Sequence, residues 1–135
     1  MIITFVKESY DIVESALRDE MNHDFGVLFC YDKKFGAYPK ADDDEDIYIT
    51  AHGNDNEIGD ERGFGLTAEK LAKELKTNFL GGYWNGRVYL SCCDSAPTFS
   101  RNLKQALGRG SVFGVIGGIN YDIMFSGNPN WVRAI

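Results

Sequence analysis

Short apolar segments alternate with amphipathic segments along this chain, and this alternation constrains the fold more than any other feature of the sequence. The apolar segments lie at residues 1–6, 25–31, 47–51, 87–91 and 111–116. Apolar side chains at helical spacing lie between several of them. This alternation predicts an α/β fold, a three-layer α/β/α sandwich with a mostly parallel sheet. The unbroken apolar character of residues 25–31 predicts a strand that is buried on both faces.

The three amphipathic segments carry the start and stop signals of helices. Ser9, Thr67 and Ser95 are the candidate N-cap residues, whose side chains would accept hydrogen bonds from the first helical turn. Gly108 follows the third segment and predicts a left-handed stop at the end of that helix. The polar stretch at residues 54–65, which contains several glycines, is predicted to be a loop.

The chain has the length of one domain and a net negative charge. Its 135 residues are enough to bury a core without disulfides, so we predict a single domain over residues 1–135. Its 14 basic and 20 acidic residues give a net charge of −6, which argues against binding to nucleic acid or to an anionic membrane surface. The sequence offers no apolar run long enough for a transmembrane helix.

Neither the cysteines nor the acidic residues follow a pattern typical of a structural or metal site. Cys30, Cys92 and Cys93 do not form a disulfide framework, and we expect reduced thiols in a cytoplasmic protein. The acidic run at residues 42–46 lacks the glycine that a calcium-binding loop needs at its sixth position. We therefore predict a solvated acidic loop, no metal site and no cofactor.

Residues with chemical potential stand where two of the predicted strands end. The third strand ends in His52-Gly53, and the fourth runs into Cys92-Cys93. Sites in open parallel sheets form outside the carboxyl ends of the strands, so neighbouring third and fourth strands would place an imidazole and a thiol across one crevice. That pair is the minimum for a cysteine nucleophile. Strand alternation allows only one of the two cysteines to face the crevice, and position alone does not decide which.

The surroundings of these strand ends favour nucleophilic chemistry. An imidazole and a helix N-terminus both stabilise a thiolate. Gly53 lets the backbone approach a substrate closely, and the N–H groups of Gly53 and Cys93 form a candidate oxyanion hole. Taken alone, His52 is better explained as a structural residue and the cysteine as a small core residue. Their coincidence at the ends of two consecutive strands favours the catalytic interpretation.

Three sequence blocks resemble the clan CD cysteine peptidases, which share the caspase-like fold. The blocks are IYITAHGN, GFGLTAEKLAKEL and RVYLSCCDSA. The chain is most similar, over roughly residues 47–118, to the self-processing cysteine protease domains of large bacterial toxins. The resemblance implies a cysteine endopeptidase of effector or toxin type that cleaves a protein or peptide substrate. It assigns the base to His52 and the nucleophile to Cys93, places Cys92 in the preceding small-residue slot, and requires no third acid.

The resemblance also bears on substrate binding and activation. It places the pocket for the substrate side chain after the fifth strand, near Gly118, Ile119 and Asn120. The toxin domains bind inositol hexakisphosphate on a basic face. This chain is acidic and carries no comparable cluster of Lys and Arg, so an inositol phosphate activator is not expected.

Two other functions compete with the peptidase. A catalytically silent caspase-like module that binds a protein partner would fit the small size and the aromatic residues expected at the surface, which are Tyr83, Trp84, Tyr121, Phe125 and Trp131. An acyltransferase or deamidase of bacterial effector type would also use a cysteine. Those enzymes usually place the cysteine before the histidine, whereas His52 precedes Cys93 in this chain.

Overall fold

A computed structural model of the chain describes residues 1–21, 23–31, 38–118 and 131–135, and it describes residue 23 by its backbone alone. The strands are β1 (Ile2–Thr4), β2 (Leu28–Cys30), β3 (Ile47–Thr50), β4 (His52–Gly53), β5 (Glu57–Gly59), β6 (Gly65–Thr67), β7 (Arg87–Ser91), β8 (Ser111–Gly114) and β9 (Val132–Arg133). The α-helices are α1 (Tyr10–Glu20), α2 (Ala68–Glu74) and α3 (Thr98–Leu107). A π-helical turn, Leu75–Phe79, continues α2, and a short 3₁₀ turn, His23–Phe25, follows α1.

The larger sheet has six strands in the order β2-β1-β3-β7-β8-β9. All of its pairs are parallel except the last, in which β9 runs antiparallel to β8. The prediction of a mostly parallel α/β sheet is therefore confirmed. The third and fourth predicted strands, β3 and β7, are adjacent, with Thr50 opposite Ser91 at their carboxyl ends.

Helices pack on both faces of this sheet because successive residues of a strand point to opposite sides. Ile3 and Ile49 are fully buried in the main core, together with Leu71 of α2 and Leu103 of α3. Ile2, the neighbour of Ile3 along β1, packs instead with a buried alanine of α1. This arrangement is compatible with the predicted sandwich.

The strand in residues 25–31 differs from its prediction. Only Leu28–Cys30 is extended, and this strand lies at the edge of the sheet with all three side chains half-buried. The aromatic side chains of this run pack against rings of other elements. Phe29 lies against Phe79 with ring centroids 5.3 Å apart, and Phe25 contacts Tyr48 at 5.0 Å.

The sequence predicted a loop for residues 54–65, and this prediction is wrong. They contribute to a small antiparallel sheet in the order β4-β5-β6. His52 pairs with Gly59, and Ile58 pairs with Leu66. Ile58 and Leu66 are buried in the main core, so this small sheet packs firmly onto the domain.

Two of the predicted helix signals, Thr67 and Gly108, are confirmed, and the two predicted caps Ser9 and Ser95 are wrong. The side-chain oxygen of Thr67 accepts a hydrogen bond from the N–H of Lys70 at 3.3 Å and caps α2. Gly108 ends α3 with a φ of 72°, in the left-handed region that glycine tolerates. Ser9 precedes α1 without capping it, because its hydroxyl donates to Asp60 at 2.7 Å instead.

Ser95 does not cap α3 either, since Pro97 is the residue immediately before that helix. The Ser95 hydroxyl is buried and donates to the carbonyl of Leu90 at 3.1 Å. It also accepts from the N–H of Val115 at 3.0 Å. Ser95 thus joins the segments that follow β7 and β8, next to the turn that carries Cys93.

Trp84 is buried, contrary to the prediction that it lies at the surface. Its side chain has no exposed area, and its indole N–H donates to the carbonyl of Glu45 at 2.8 Å. A Cβ on Gly110 would lie 2.6 Å from the ring, so the backbone packs directly against the indole. The tryptophan therefore holds the acidic loop onto the domain.

The other aromatic residues expected at the surface have different outcomes. Tyr83 is 88% exposed, in agreement with the prediction. Trp131 is half-buried and contacts the ring of Tyr89 edge-on at 5.1 Å. Tyr121 and Phe125 lie outside the described residues. None of the helices within the described ranges has the length and hydropathy required to cross a lipid bilayer.

Candidate active site

The two strand ends singled out in the sequence meet in one cavity. Because Thr50 and Ser91 are opposite each other in the parallel pair, the residues that follow them emerge at the same edge of the sheet. His52 and Cys93 both line a cavity of about 240 Å³ at this edge. The structure therefore brings together the two residues that the sequence nominated as base and nucleophile.

The small antiparallel sheet supplies most of the cavity wall. Besides the candidate pair, the lining consists of Gly53, Asn54, Glu57, Ile58, Gly59, Asp60 and Glu61. This part of the wall contains three carboxylates and no basic side chain. The polar stretch predicted to be a loop is thus part of the candidate site.

The two adjacent cysteines occupy different environments. Cys92 is fully buried, and its thiol makes a weak hydrogen bond to the carbonyl of Ile49 at 3.7 Å. Burial first, and the neighbouring Cys93 second, raise the pKa of the Cys92 thiol well above its usual range. Cys92 therefore stays protonated near neutral pH. Cys93 is half-buried and lines the cavity, so the structure decides which of the two faces the crevice.

Gly53 is in close contact with the backbone of the candidate nucleophile. A Cβ at this position would lie 2.5 Å from the carbonyl oxygen of Cys93 and 2.9 Å from the Cβ of Cys92. Those distances leave no room for any side chain. The glycine predicted to let the backbone approach a substrate thus allows close packing of the two strand ends, which places the peptide groups of Gly53 and Cys93 side by side.

Two carboxylates lie against the imidazole ring of His52, whose side chain is 11% exposed. The Oδ2 atom of Asp11 is 3.5 Å from Nε2, and the Oε1 atom of Glu61 is 3.8 Å from Nδ1. Sequence reasoning missed both residues. Asp11 lies on the polar face of α1 and Glu61 in a turn, and no local spacing indicates that either one reaches a histidine in a different element.

A third carboxylate, that of Asp60, ties the turn between β5 and β6 to the segment before α1. It accepts from the backbone N–H of Lys7 at 3.1 Å, from that of Glu8 at 3.1 Å and from the hydroxyl of Ser9 at 2.7 Å. Three bonds to one charged acceptor form a strong local anchor. They fix the start of α1, and with it Asp11, relative to the cavity.

The segment predicted to bind the substrate side chain is only partly described. Gly118 is exposed, whereas Ile119 and Asn120 lie outside the described residues. The carbonyl of Gly117 accepts a hydrogen bond at 2.9 Å from the N–H of Asp94, the residue after Cys93. The start of this segment therefore lies beside the candidate nucleophile.

The acidic run at residues 42–46 takes part in contacts within the domain. The N-terminal amine lies 3.0 Å from a carboxylate oxygen of Glu45, and Asp46 accepts from Arg87 at 3.1 Å. Across the described ranges, no group of three or more His, Cys, Asp or Glu side chains is arranged to hold a metal ion.

No family model, no curated protein and no solved structure matches the chain. The resemblance to clan CD peptidases therefore rests on the three sequence blocks alone.

Proposed function

We propose that this chain is a cysteine endopeptidase of caspase-like fold in which Cys93 is the nucleophile and His52 is the general base. One observation carries the proposal: the two side chains line the same cavity at the carboxyl ends of two paired parallel strands. Nucleophilic catalysis by cysteine needs a thiol and a base within reach of each other at an open cavity. The burial of Cys92 supports the choice of Cys93.

The proposed reaction proceeds in two halves. His52 takes the thiol proton of Cys93, and the sulfur attacks the carbonyl carbon of the scissile peptide bond. The oxyanion accepts hydrogen bonds from the N–H groups of Gly53 and Cys93, the C–N bond breaks, and the leaving amine takes the proton from His52. Water then hydrolyses the thioester, giving one proton to His52 that returns to the Cys93 sulfur.

The substrate of this reaction is a protein or peptide. The segment after β8, with Gly118, Ile119 and Asn120, is the proposed contact for a substrate side chain. The hydrogen bond from Asp94 to Gly117 supports this assignment because it anchors the start of the segment beside the nucleophile. The three cysteines are all described and form no disulfide, which supports a reducing, cytoplasmic setting for the enzyme.

The test is the cleavage of a diverse peptide pool, with products identified by mass spectrometry. Wild type is expected to cleave, whereas Cys93→Ala and His52→Ala are expected to reduce the rate to background. Cys92→Ala and His23→Ala are the matched controls, each removing another residue of the same type, and both are expected to keep most of the activity. Cleavage that survives in the His52 variant would contradict the dyad. No cleavage by wild type would favour the silent caspase-like binding module.

A further inference from the structure

The two carboxylates beside His52 have no part in the reaction described so far. The Oδ2 atom of Asp11 lies 3.5 Å from Nε2, whereas the Oε1 atom of Glu61 lies 3.8 Å from Nδ1. Asp11 is 58% exposed and Glu61 is 77% exposed. The nearer and less exposed carboxylate is less screened by solvent, so Asp11 has the greater influence on the ring.

A carboxylate beside one ring nitrogen decides where the proton of a neutral imidazole resides. Carboxylate oxygens only accept hydrogen bonds, so a ring nitrogen that faces one is favoured to carry the proton. The separation of 3.5 Å is longer than a hydrogen bond, and contacts of this kind often tighten when substrate closes the site. Asp11 thus favours the form of His52 with its proton on Nε2, in which Nδ1 carries the lone pair.

We propose that Asp11 is a positioning residue, which holds the Nε2 proton of His52 so that Nδ1 exchanges protons with Cys93. This inference rests on the proposed function. Each half-reaction then moves one proton through Nδ1: from the Cys93 thiol to the leaving amine, and later from water to the Cys93 sulfur. The Nε2 proton stays in place throughout, between the ring and Asp11.

The anchoring of α1 supports this role. The carboxylate of Asp60, which lines the cavity, accepts from the N–H groups of Lys7 and Glu8 and from the hydroxyl of Ser9. These residues directly precede α1, whose first turn contains Asp11. The turn that forms the cavity wall therefore also fixes the backbone from which Asp11 reaches the ring.

The alternative is that Asp11 acts only as a favourable charge at the start of a helix. Such a charge stabilises the helix slightly and has no influence on the imidazole. Glu61→Gln is the matched control because it removes the same charge from the opposite side of the same ring. Asp11→Asn keeps the shape of the side chain but offers both a donor and an acceptor, so it no longer selects one form of the ring.

The experiment combines kinetics with nitrogen NMR of the ring. The chain has two histidines, and a His23→Ala background leaves the His52 ring alone in the spectrum of a ¹⁵N-labelled sample. In the neutral ring, long-range proton–nitrogen correlation is expected to show the proton on Nε2 in that background and in Glu61→Gln. Asp11→Asn is expected to give a mixture of the two forms. In peptide cleavage, Asp11→Asn is expected to lower kcat about ten-fold with KM within about two-fold.

The outcomes separate this inference from the proposed function. A proton on Nδ1 in the His23→Ala background, or an unchanged form of the ring in Asp11→Asn, overturns the role of Asp11 whether or not the chain cleaves peptides. Full kcat in Asp11→Asn from an active enzyme overturns it as well. If wild type cleaves nothing but the ring responds as expected, the peptidase fails while the positioning of His52 by Asp11 stands. Thermal unfolding of each variant verifies that it is folded.

Discussion

Replacing the buried cysteine by alanine is expected to lower stability and to change how stability depends on pH. Cys92 has no exposed area, and its sulfur is close to the carbonyl of Ile49. The change Cys92→Ala removes one buried atom and leaves a small cavity, at the mild end of core truncations. We expect the variant to be less stable by about 1–2 kcal/mol at pH 7.

The alkaline response follows from the raised pKa of the Cys92 thiol. In the unfolded chain a thiol ionises at about pH 8.5, whereas burial keeps Cys92 protonated in the folded state. The contribution of the buried Cys92 thiol to stability is therefore complete below the pKa of the unfolded thiol. It is lost as the pH rises above that value, because ionisation of the thiol then favours the unfolded chain. At pH 9.5 the loss amounts to about 1.4 kcal/mol. The alanine variant has no such thiol, so its disadvantage at pH 7 should largely disappear at pH 9.5.

Urea unfolding under reducing conditions at pH 7 and pH 9.5, followed by tryptophan fluorescence, measures both effects. Trp84 is fully buried and is expected to report the loss of the core. Taking the difference between wild type and variant cancels the titration of the other residues. Cys93→Ala is the control, and its stability should fall between the two pH values as that of wild type does, because Cys92 is still present. A stability difference for Cys92→Ala that stays constant between the two pH values would refute the reasoning.

Three further substitutions and one control test the local packing and the helix cap, all by urea unfolding at pH 7. Gly53→Ala places a Cβ 2.5 Å from the carbonyl of Cys93, so we expect a loss of about 1–3 kcal/mol, and unchanged stability would contradict the close contact. Thr67→Ala removes the cap of α2 and should destabilise by about 1 kcal/mol, whereas Thr98→Ala, at an exposed helix start without a cap, should change stability by less than about 0.5 kcal/mol. Trp84→Phe loses the indole hydrogen bond and part of a buried ring, so we expect a loss of stability of about 2 kcal/mol. A smaller loss of stability than for Thr67→Ala would contradict the role of Trp84 in holding the acidic loop onto the domain.

Much of the parallel sheet could be predicted because its strands are short and apolar and are separated by helices. The residues of β3 and β7 are themselves typical of strands, and the rule that sites lie at carboxyl ends linked His52 to the pair Cys92-Cys93. The edge position of β2 could not be read in the same way. An apolar run indicates that its side chains pack against other residues, and at this edge strand the contact of Phe29 with Phe79 provides such packing without a second neighbouring strand.

The cavity wall was missed because its strands are very short. β4, β5 and β6 have two or three residues each, too few for a period of two to stand out. Gly59 and Gly65 are typical of turns, yet here they face each other across a strand pair. A Cβ on Gly59 would lie 2.3 Å from the carbonyl of Phe64, so the close approach of the backbone explains the glycine better than a loop does.

The carboxylates around His52 show where sequence reasoning ends. Asp11 and Glu61 reach the ring from elements that are far apart in the chain, and their positions depend on how the elements pack. The same is true of Trp84, whose burial depends on the acidic loop folding over it. Local patterns identify the elements and their ends, whereas contacts between distant elements require the assembled structure.

The central claim is that His52 activates Cys93, and the alkylation rate of individual cysteines tests it most directly. Cys30 is the internal reference because it is also half-buried and also lines a cavity. Wild type and His52→Ala are treated with iodoacetamide at pH 7, and each site is quantified by peptide mass spectrometry. We predict that Cys93 reacts at least about ten-fold faster than Cys30 in wild type, and at a rate close to that of Cys30 in the variant. Equal rates at the two cysteines in wild type, or a fast Cys93 that does not respond to the loss of His52, would contradict the account.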